Sequence, residues 1–330
     1  MQESFVTSGQ ESSGDAGPDS SDGQTGLFSR LRPMGQVLRT PHWIKNALVL
    51  LPLVFAVRFT DAQAWLCAML AFLAFCTTAS ALYIINDIAD RHSDRHHPRK
   101  CRRPIAAGRL SVPVAIAECV FLLALGASLA LSLRPVFGLV LLGYLLLQLA
   151  YNAYLKHHML LDAIALACGF VLRAVGGAVA IGVVISPWLV ICTFSLCLFL
   201  GFCKRHCEIL VIADRESATQ HRKTLAGYTP QLLTHLITLA ATLAVISFLL
   251  YATSDRTVQE FGSHLFVYTM PLVVYGVCRI AMQSMRGIYS DPNELMLRDR
   301  GVQVTAALWL LTAIVIVVYG RGIEHWLASF

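Results

Sequence analysis

Charge is what this 330-residue sequence is short of. Asp, Glu, Lys and Arg together make only 14% of it, against 56% apolar residues, and the mean hydropathy is +0.62. A soluble domain clothes its surface with roughly 25% charged residues, so much of this surface must face lipid. The shortage excludes a soluble enzyme, a disordered protein and a water-soluble nucleic-acid binder. Short alternating segments are lacking as well, and with them the signature of a transmembrane barrel. Long unbroken apolar runs remain, and in hydrocarbon a helix satisfies its own backbone. The predicted fold class is all-α, a polytopic membrane bundle of helices.

Zinc-type pairs of C-x-x-C motifs are also missing, although there are ten cysteines. Cys67, Cys76, Cys119, Cys168, Cys192, Cys197 and Cys278 lie inside apolar stretches, where a thiol behaves as a small hydrophobe. Cys101, Cys203 and Cys207 stand in or beside basic segments, and all ten are expected to be reduced. Residues 1–26 hold almost no large apolar groups and cannot bury enough surface to offset their ordering entropy, so a disordered tail is expected there. That stretch has no charged-then-apolar start, and no cleavable signal is expected.

A helix needs about 20 apolar residues to cross a bilayer core. Nine runs qualify as candidates: 46–58, 64–85, 112–133, 135–154, 159–181, 186–203, 231–252, 264–284 and 302–320, the first of them short. With the N-terminus inside, twenty of the 26 Lys and Arg residues fall in the cytoplasmic segments 27–45, 86–111, 155–158, 204–230 and 285–301. Arg58, Arg134, Arg256 and Arg321 lie outside, and Arg173 and Arg279 within spans. This asymmetry follows the positive-inside rule. The two long polar loops then share the cytoplasmic side, where phosphorylated metabolites are available.

The first of those loops carries the densest chemistry. It begins Asn86-Asp87-Ile88-Ala89-Asp90-Arg91-His92-Ser93-Asp94. On a helix, Asp90 lies about 60° and Asp94 about 20° from Asp87 around the axis. Three carboxylates on one face repel unless a cation neutralises them, and hard oxygens with room for water and phosphate suit Mg²⁺. A run from Arg95 through Lys100 to Arg103 follows. A metal taking some diphosphate oxygens and Lys or Arg taking the rest is how such a group is held. Lys100 and Arg103 are favoured for this, and other members of the run serve as a head-group anchor. His92, His96 and His97 read as solvated.

Asp162 and Arg173 sit in the fifth span, eleven residues apart, hence on one face and about 16 Å apart along the axis. Charges there normally face an internal polar cavity, with Lys156 at its mouth. Lys204, Arg205 and Glu208 close the sixth span at helical spacing, and Lys223 and Tyr228 follow on the same loop. A structural ion pair or an interfacial cluster would use the same residue types.

At this point the residues resemble a known family. Asn86-Asp87-x-x-Asp90-x-x-x-Asp94 is similar to the first aspartate-rich motif of the UbiA superfamily of intramembrane prenyltransferases. Trp43-Ile44-Lys45-Asn46, His97-Pro98-Arg99-Lys100 through Arg103-Pro104-Ile105-Ala106-Ala107-Gly108, Gly169-Phe170-x-x-Arg173 and Lys204-Arg205 resemble its decaprenyl-phosphate phosphoribosyltransferase branch. The resemblance runs from about residue 35 to the last span. One departure is the second loop, where the wider superfamily has a further aspartate pair and this chain has Lys204, Arg205 and Glu208, with Asp214 beyond.

The resemblance implies about nine transmembrane helices around a central cavity, with residues 27–330 as one catalytic domain. It implies Mg²⁺-dependent transfer of 5-phosphoribosyl from 5-phosphoribosyl 1-diphosphate (PRPP) to a polyprenyl phosphate. Asp87, Asp90 and Asp94 would be metal ligands and catalytic. Lys45, Asn46, Asn86, Lys100, Arg103, Lys156, Asp162, Arg173, Lys204, Arg205 and Glu208 are the candidate substrate-binding residues. The rival expectation is prenyl transfer from a prenyl diphosphate to an aromatic or quinone-precursor acceptor. A bacterial inner membrane, with the active-site loops cytoplasmic, is the expected location. No nucleic-acid partner is expected, and the oligomeric state is left open.

Overall fold

A computed structural model describes residues 32–97, 100–213, 227–289 and 292–329. The expected disordered tail, Pro98-Arg99 of the basic run, Asp214 and Lys223 lie outside the described residues. Within them the chain is all-helical, without a strand. Eight helices are long and apolar enough to cross a membrane. We number them α1 (Ala62–Ala89), α2 (Val112–Leu133), α3 (Pro135–Ala153), α4 (Leu161–Ile181), α5 (Pro187–Ala213), α6 (Pro230–Thr253), α7 (Leu265–Met285, its first turn 3₁₀) and α8 (Arg300–Ala328).

The expected first span takes a different form from the rest. Thr40–Leu50 is a 3₁₀-helix that passes into a short α-helix, Leu51–Phe55. Pro41 and Pro52 each stand in a first turn, where the missing N–H costs nothing, but Pro52 cannot continue a helix from the residues before it. Runs of 3₁₀ longer than three or four residues are uncommon because their hydrogen bonds are poorly aligned. This one is held from outside by α4. A Cβ built on Gly177 would lie 2.0 Å from the Val49 carbonyl oxygen, so the two backbones are in direct contact. Gly177→Ala is expected to lower stability by about 1–3 kcal/mol through overpacking. A fall in thermal unfolding temperature in detergent, with a smaller change for Gly143→Ala in open space on α3, checks it.

α1 is the central helix. Its buried side chains run nearly its whole length and are mostly small: Ala64, Ala68, Ala71, Ala74, Thr77, Thr78, Ser80 and Ala81. Lipid tails are as apolar as leucine, so membrane helices associate through close backbone approach rather than by hiding large apolar groups. α1 packs on α2, α3, α4 and the 3₁₀ segment, while α5 packs on α4 and α6, and α7 on α6 and α8. Large apolar side chains such as Leu66, Phe121, Leu139, Ile246 and Leu311 are exposed on the outer surface, as a lipid-facing surface requires. All ten cysteines are free.

Because successive long helices run antiparallel, the C-terminal ends of α1, α3, α5 and α7 gather at the same end as the N-termini of α2, α4, α6 and α8. This charged end carries the polar segment 90–111 and the polar residues that close α5. The opposite end holds shorter connections and a small amphipathic helix, Asp255–Phe261.

Candidate functional site

The acidic motif sits where α1 runs out. Asp87 is in the last turn, 3% exposed, and α1 stops at Ala89 with Asp90 as its C-cap. A further turn, Arg91–Arg95, brings Asp94 back to bury at 2% exposure. Arg103 joins the two carboxylates: its Nη1 donates to Asp87 Oδ1 at 3.0 Å and to Asp94 Oδ2 at 2.6 Å. Lys100 Nζ lies 3.8 Å from Asp94 Oδ1. Of the three aspartates expected on one face, Asp87 and Asp94 are brought together. Asp90, the half-buried C-cap of α1, has a different partner: its Oδ2 accepts from Asn86 Nδ2 at 3.0 Å.

A residue that sequence reasoning did not single out completes this cluster. Arg39 Nη2 donates to Asp87 Oδ1 at 2.5 Å, and its guanidinium lies 4.9 Å over the Tyr83 ring. Arg39 takes left-handed backbone angles, φ 50° and ψ 48°. That conformation costs a non-glycine residue about 1 kcal/mol or more, and such strain gathers at functional sites. The only sequence signal was its place among the cations before the first span.

A second cluster forms between α4 and α5. Asp162 and Arg205 are 0% and 1% exposed, and Arg205 Nε stands 2.7 Å from Asp162 Oδ2 as an ion pair that is out of line for a hydrogen bond. Glu208, one turn further along α5, accepts from Arg205 Nη1. Tyr228 OH donates to Asp162 Oδ1 at 3.0 Å and accepts from Leu160 N at 2.7 Å. Burial, above all, pushes the Tyr228 phenol up to about 12, so it keeps its proton at neutral pH. The Leu160 backbone that it holds has φ 68°, another strained position stabilised by its neighbours. Lys204 is half-buried beside Arg205.

Among the described residues, Arg173 has no partner in common with Asp162. Three turns into α4, its Nε donates to Asn46 Oδ1 at 2.6 Å, Nη1 to Gly169 O at 2.8 Å and Nη2 to Tyr144 OH at 2.8 Å. The guanidinium also stacks over the rings of Tyr144 and Phe170, at 4.6 and 5.1 Å. Asn46 in turn donates to Cys76 Sγ at 3.2 Å. Lys45, beside Asn46, and Lys156, in the turn Leu155–His157, are half-buried near the same end of the bundle. Arg279, unassigned by sequence, pairs with Asp299 at 2.6 Å, tying α7 to the start of α8.

Beyond these polar groups lies a cavity of about 410 Å³ whose walls include Leu48, Ala178, Cys197, Phe248, Val277 and Trp309. It runs between the 3₁₀ segment, α4 and the second half of the bundle, and its walls are mainly apolar. Among the described residues, no three His, Cys, Asp or Glu side chains are grouped closely enough to hold a metal by themselves. Two buried hard carboxylates nevertheless fit Mg²⁺, which keeps water ligands and commonly takes one or two carboxylates together with substrate phosphate oxygens.

Comparison with known proteins agrees with this architecture. The profile of the UbiA prenyltransferase family matches residues 47–296. Decaprenyl-phosphate phosphoribosyltransferase of Corynebacterium glutamicum is 36% identical, covering 87% of this chain and 86% of that protein. The protein of the same name from Mycolicibacterium smegmatis is 35% identical over 87% of this chain and 91% of its own length. Among solved structures, a UbiA homologue from Archaeoglobus fulgidus bound to GPP and Mg²⁺ superposes with a TM-score of 0.62. It is 20% identical, covering 88% of this chain and 99% of that one.

Proposed function

The chain belongs to the UbiA prenyltransferase family, as an integral membrane transferase, and from that premise we propose that it transfers 5-phosphoribosyl from PRPP to a polyprenyl phosphate, releasing diphosphate. The names of its relatives support this donor and acceptor. The observation that carries the reading is the unequal chemistry of the two clusters. One presents paired carboxylates among Arg39, Lys100 and Arg103. The other turns its acids inward onto Arg205, so among the described residues no second acidic cradle stands opposite for a prenyl diphosphate.

Asp87 and Asp94, with Asp90 beside them, are the residues we assign to Mg²⁺, which when bound would neutralise charge on the departing diphosphate. Lys100 and Arg103 supply donors to the remaining phosphate oxygens, and Asn86 supplies an amide for the diphosphate or the ribose hydroxyls. Lys45, Lys156 and Lys204, at the same end, are candidates for the 5-phosphate. In the reaction an acceptor phosphate oxygen forms a bond to the anomeric carbon of ribose. The bond from that carbon to the diphosphate oxygen breaks, and its electron pair leaves with the diphosphate. A phosphate monoester is already anionic at neutral pH, its second pKa being about 6, so no strong base is required. Catalysis rests on positioning and on fixed positive charge where negative charge develops.

The apolar cavity suits the head-proximal part of the polyprenyl chain. The excess of Lys and Arg at the charged end supports a cytoplasmic position for that end, and we assign the protein to a bacterial inner membrane. Residues 27–330 form the catalytic domain in this reading. Purified protein incubated with Mg²⁺, PRPP and a polyprenyl monophosphate should yield a lipid-linked phosphoribose by mass spectrometry. Failure to form it, alongside turnover of a prenyl diphosphate with an aromatic acid, would overturn the reading in favour of prenyl transfer.

A further inference from the structure

Arg173 is a buried cation, 7% exposed, deep in a membrane helix, yet among the described residues its partners are all neutral. They are the Asn46 amide, the Gly169 carbonyl and the Tyr144 hydroxyl. Asp162 and Asp299 each have their own arginine, and Asp87 has two. A guanidinium in this setting is costly and ordinarily marks a site that takes an anion. Its three bonds use three of its five N–H groups, leaving donors for a ligand.

Its position supplies the rest of the argument. On one side the segment that carries its partner Asn46 follows α1 toward the carboxylates: Asn46 bonds Cys76, Trp43 bonds Ser80 and Arg39 bonds Asp87. On the other side the apolar cavity is reached by residues a little further along the same two segments. Leu48 follows Asn46 in the 3₁₀ segment, and Ala178 lies just beyond Arg173 on α4. The guanidinium therefore stands between the donor carboxylates and the space for an apolar chain.

We propose that Arg173, held in place by Asn46 and Tyr144, binds the phosphate of the acceptor lipid at the junction of the polar site and the apolar cavity. This rests on the acceptor being a phosphate monoester, as proposed above. The subsite separates the two substrates by charge: the donor diphosphate is held from the acidic cluster, and the acceptor phosphate by a lone cation that a carboxylate-bound metal does not occupy. A neutral polyprenol could fill the same cavity but would leave Arg173 without its anion.

The test is binding of the acceptor alone, with no donor present. Farnesyl phosphate and farnesol are titrated against purified protein in Mg²⁺-free buffer. The wild-type protein is expected to prefer the phosphate by about tenfold or more, the size of a charge-assisted hydrogen bond. Arg173→Gln should erase that preference while keeping farnesol affinity. Tyr144→Phe, which removes one holding contact but no charge, should retain most of it. If the wild-type preference appears only with Mg²⁺, the phosphate sits at the aspartates and the proposal fails, whatever the variants do. If Arg173→Gln and Tyr144→Phe weaken phosphate and alcohol alike, Arg173 is a structural staple and the proposal also fails. Because PRPP is absent, an error about the donor leaves these outcomes unchanged and shows instead in the product assay.

Discussion

Asp87→Asn is expected to reduce phosphoribosyl transfer on the order of a thousandfold, about 4 kcal/mol of transition-state stabilisation, with little loss of folded protein. The two halves of that expectation come from one carboxylate. Arg39 and Arg103 both donate to Oδ1 of Asp87, and asparagine keeps an oxygen at that position, so both contacts can persist. What asparagine lacks is the negative charge that a hard cation requires. Product formation by mass spectrometry, alongside thermal unfolding in detergent, separates the effects. Activity lost at unchanged unfolding temperature places the defect in the chemistry. Activity within tenfold of wild type, even at limiting Mg²⁺, would remove Asp87 from the metal site. Raising Mg²⁺ is not expected to rescue the variant, because the ligand itself has changed rather than its occupancy.

How much of this could be read in the sequence depended on the range of the interaction. Membrane-crossing helices were legible because the signal is local: about 20 apolar residues in a row, bounded by charge. The eight long helices fall within a few residues of their expected limits at most ends, although α5 and α8 run further. The first segment was harder, since its 3₁₀ form depends on Pro52 and on the close approach of Gly177, more than a hundred residues away. The aspartate motif was legible as chemistry, but that Arg103 would bridge Asp87 and Asp94 while Asp90 pairs with Asn86 was not. Pairings between helices could not be read at all. That Arg205 would meet Asp162 rather than serve only as an interfacial charge, and that Arg173 would meet Asn46 instead of Asp162, depends on which helices pack together. Arg39 was missed because an arginine before a first span looks like a topology signal until its contact with Asp87 is seen.

The Asp162–Arg205 pair offers the other large effect, and its outcome assigns the role of Arg205. Both groups are almost fully buried. Among the described residues, Arg205→Met would leave Asp162 with only the Tyr228 hydroxyl and the Ala163 N–H, a buried carboxylate without a cation. Asp162→Asn would leave Arg205 with Glu208, which is partly exposed. Breaking such a pair costs about 3–5 kcal/mol, whereas replacing both charges together is often close to neutral. Arg205→Met is therefore expected to be the more destabilising single change, with Asp162→Asn smaller because Glu208 remains. The double variant should recover at least about 2 kcal/mol relative to Arg205→Met, measured by unfolding in detergent as a double-mutant cycle. Activity of the recovered double variant then decides between the two uses of the pair. A stable double variant that has lost transfer places Arg205 among the groups that hold substrate phosphate. A stable and active one makes the pair a staple between α4 and α5 and removes Arg205, with Asp162, from the site.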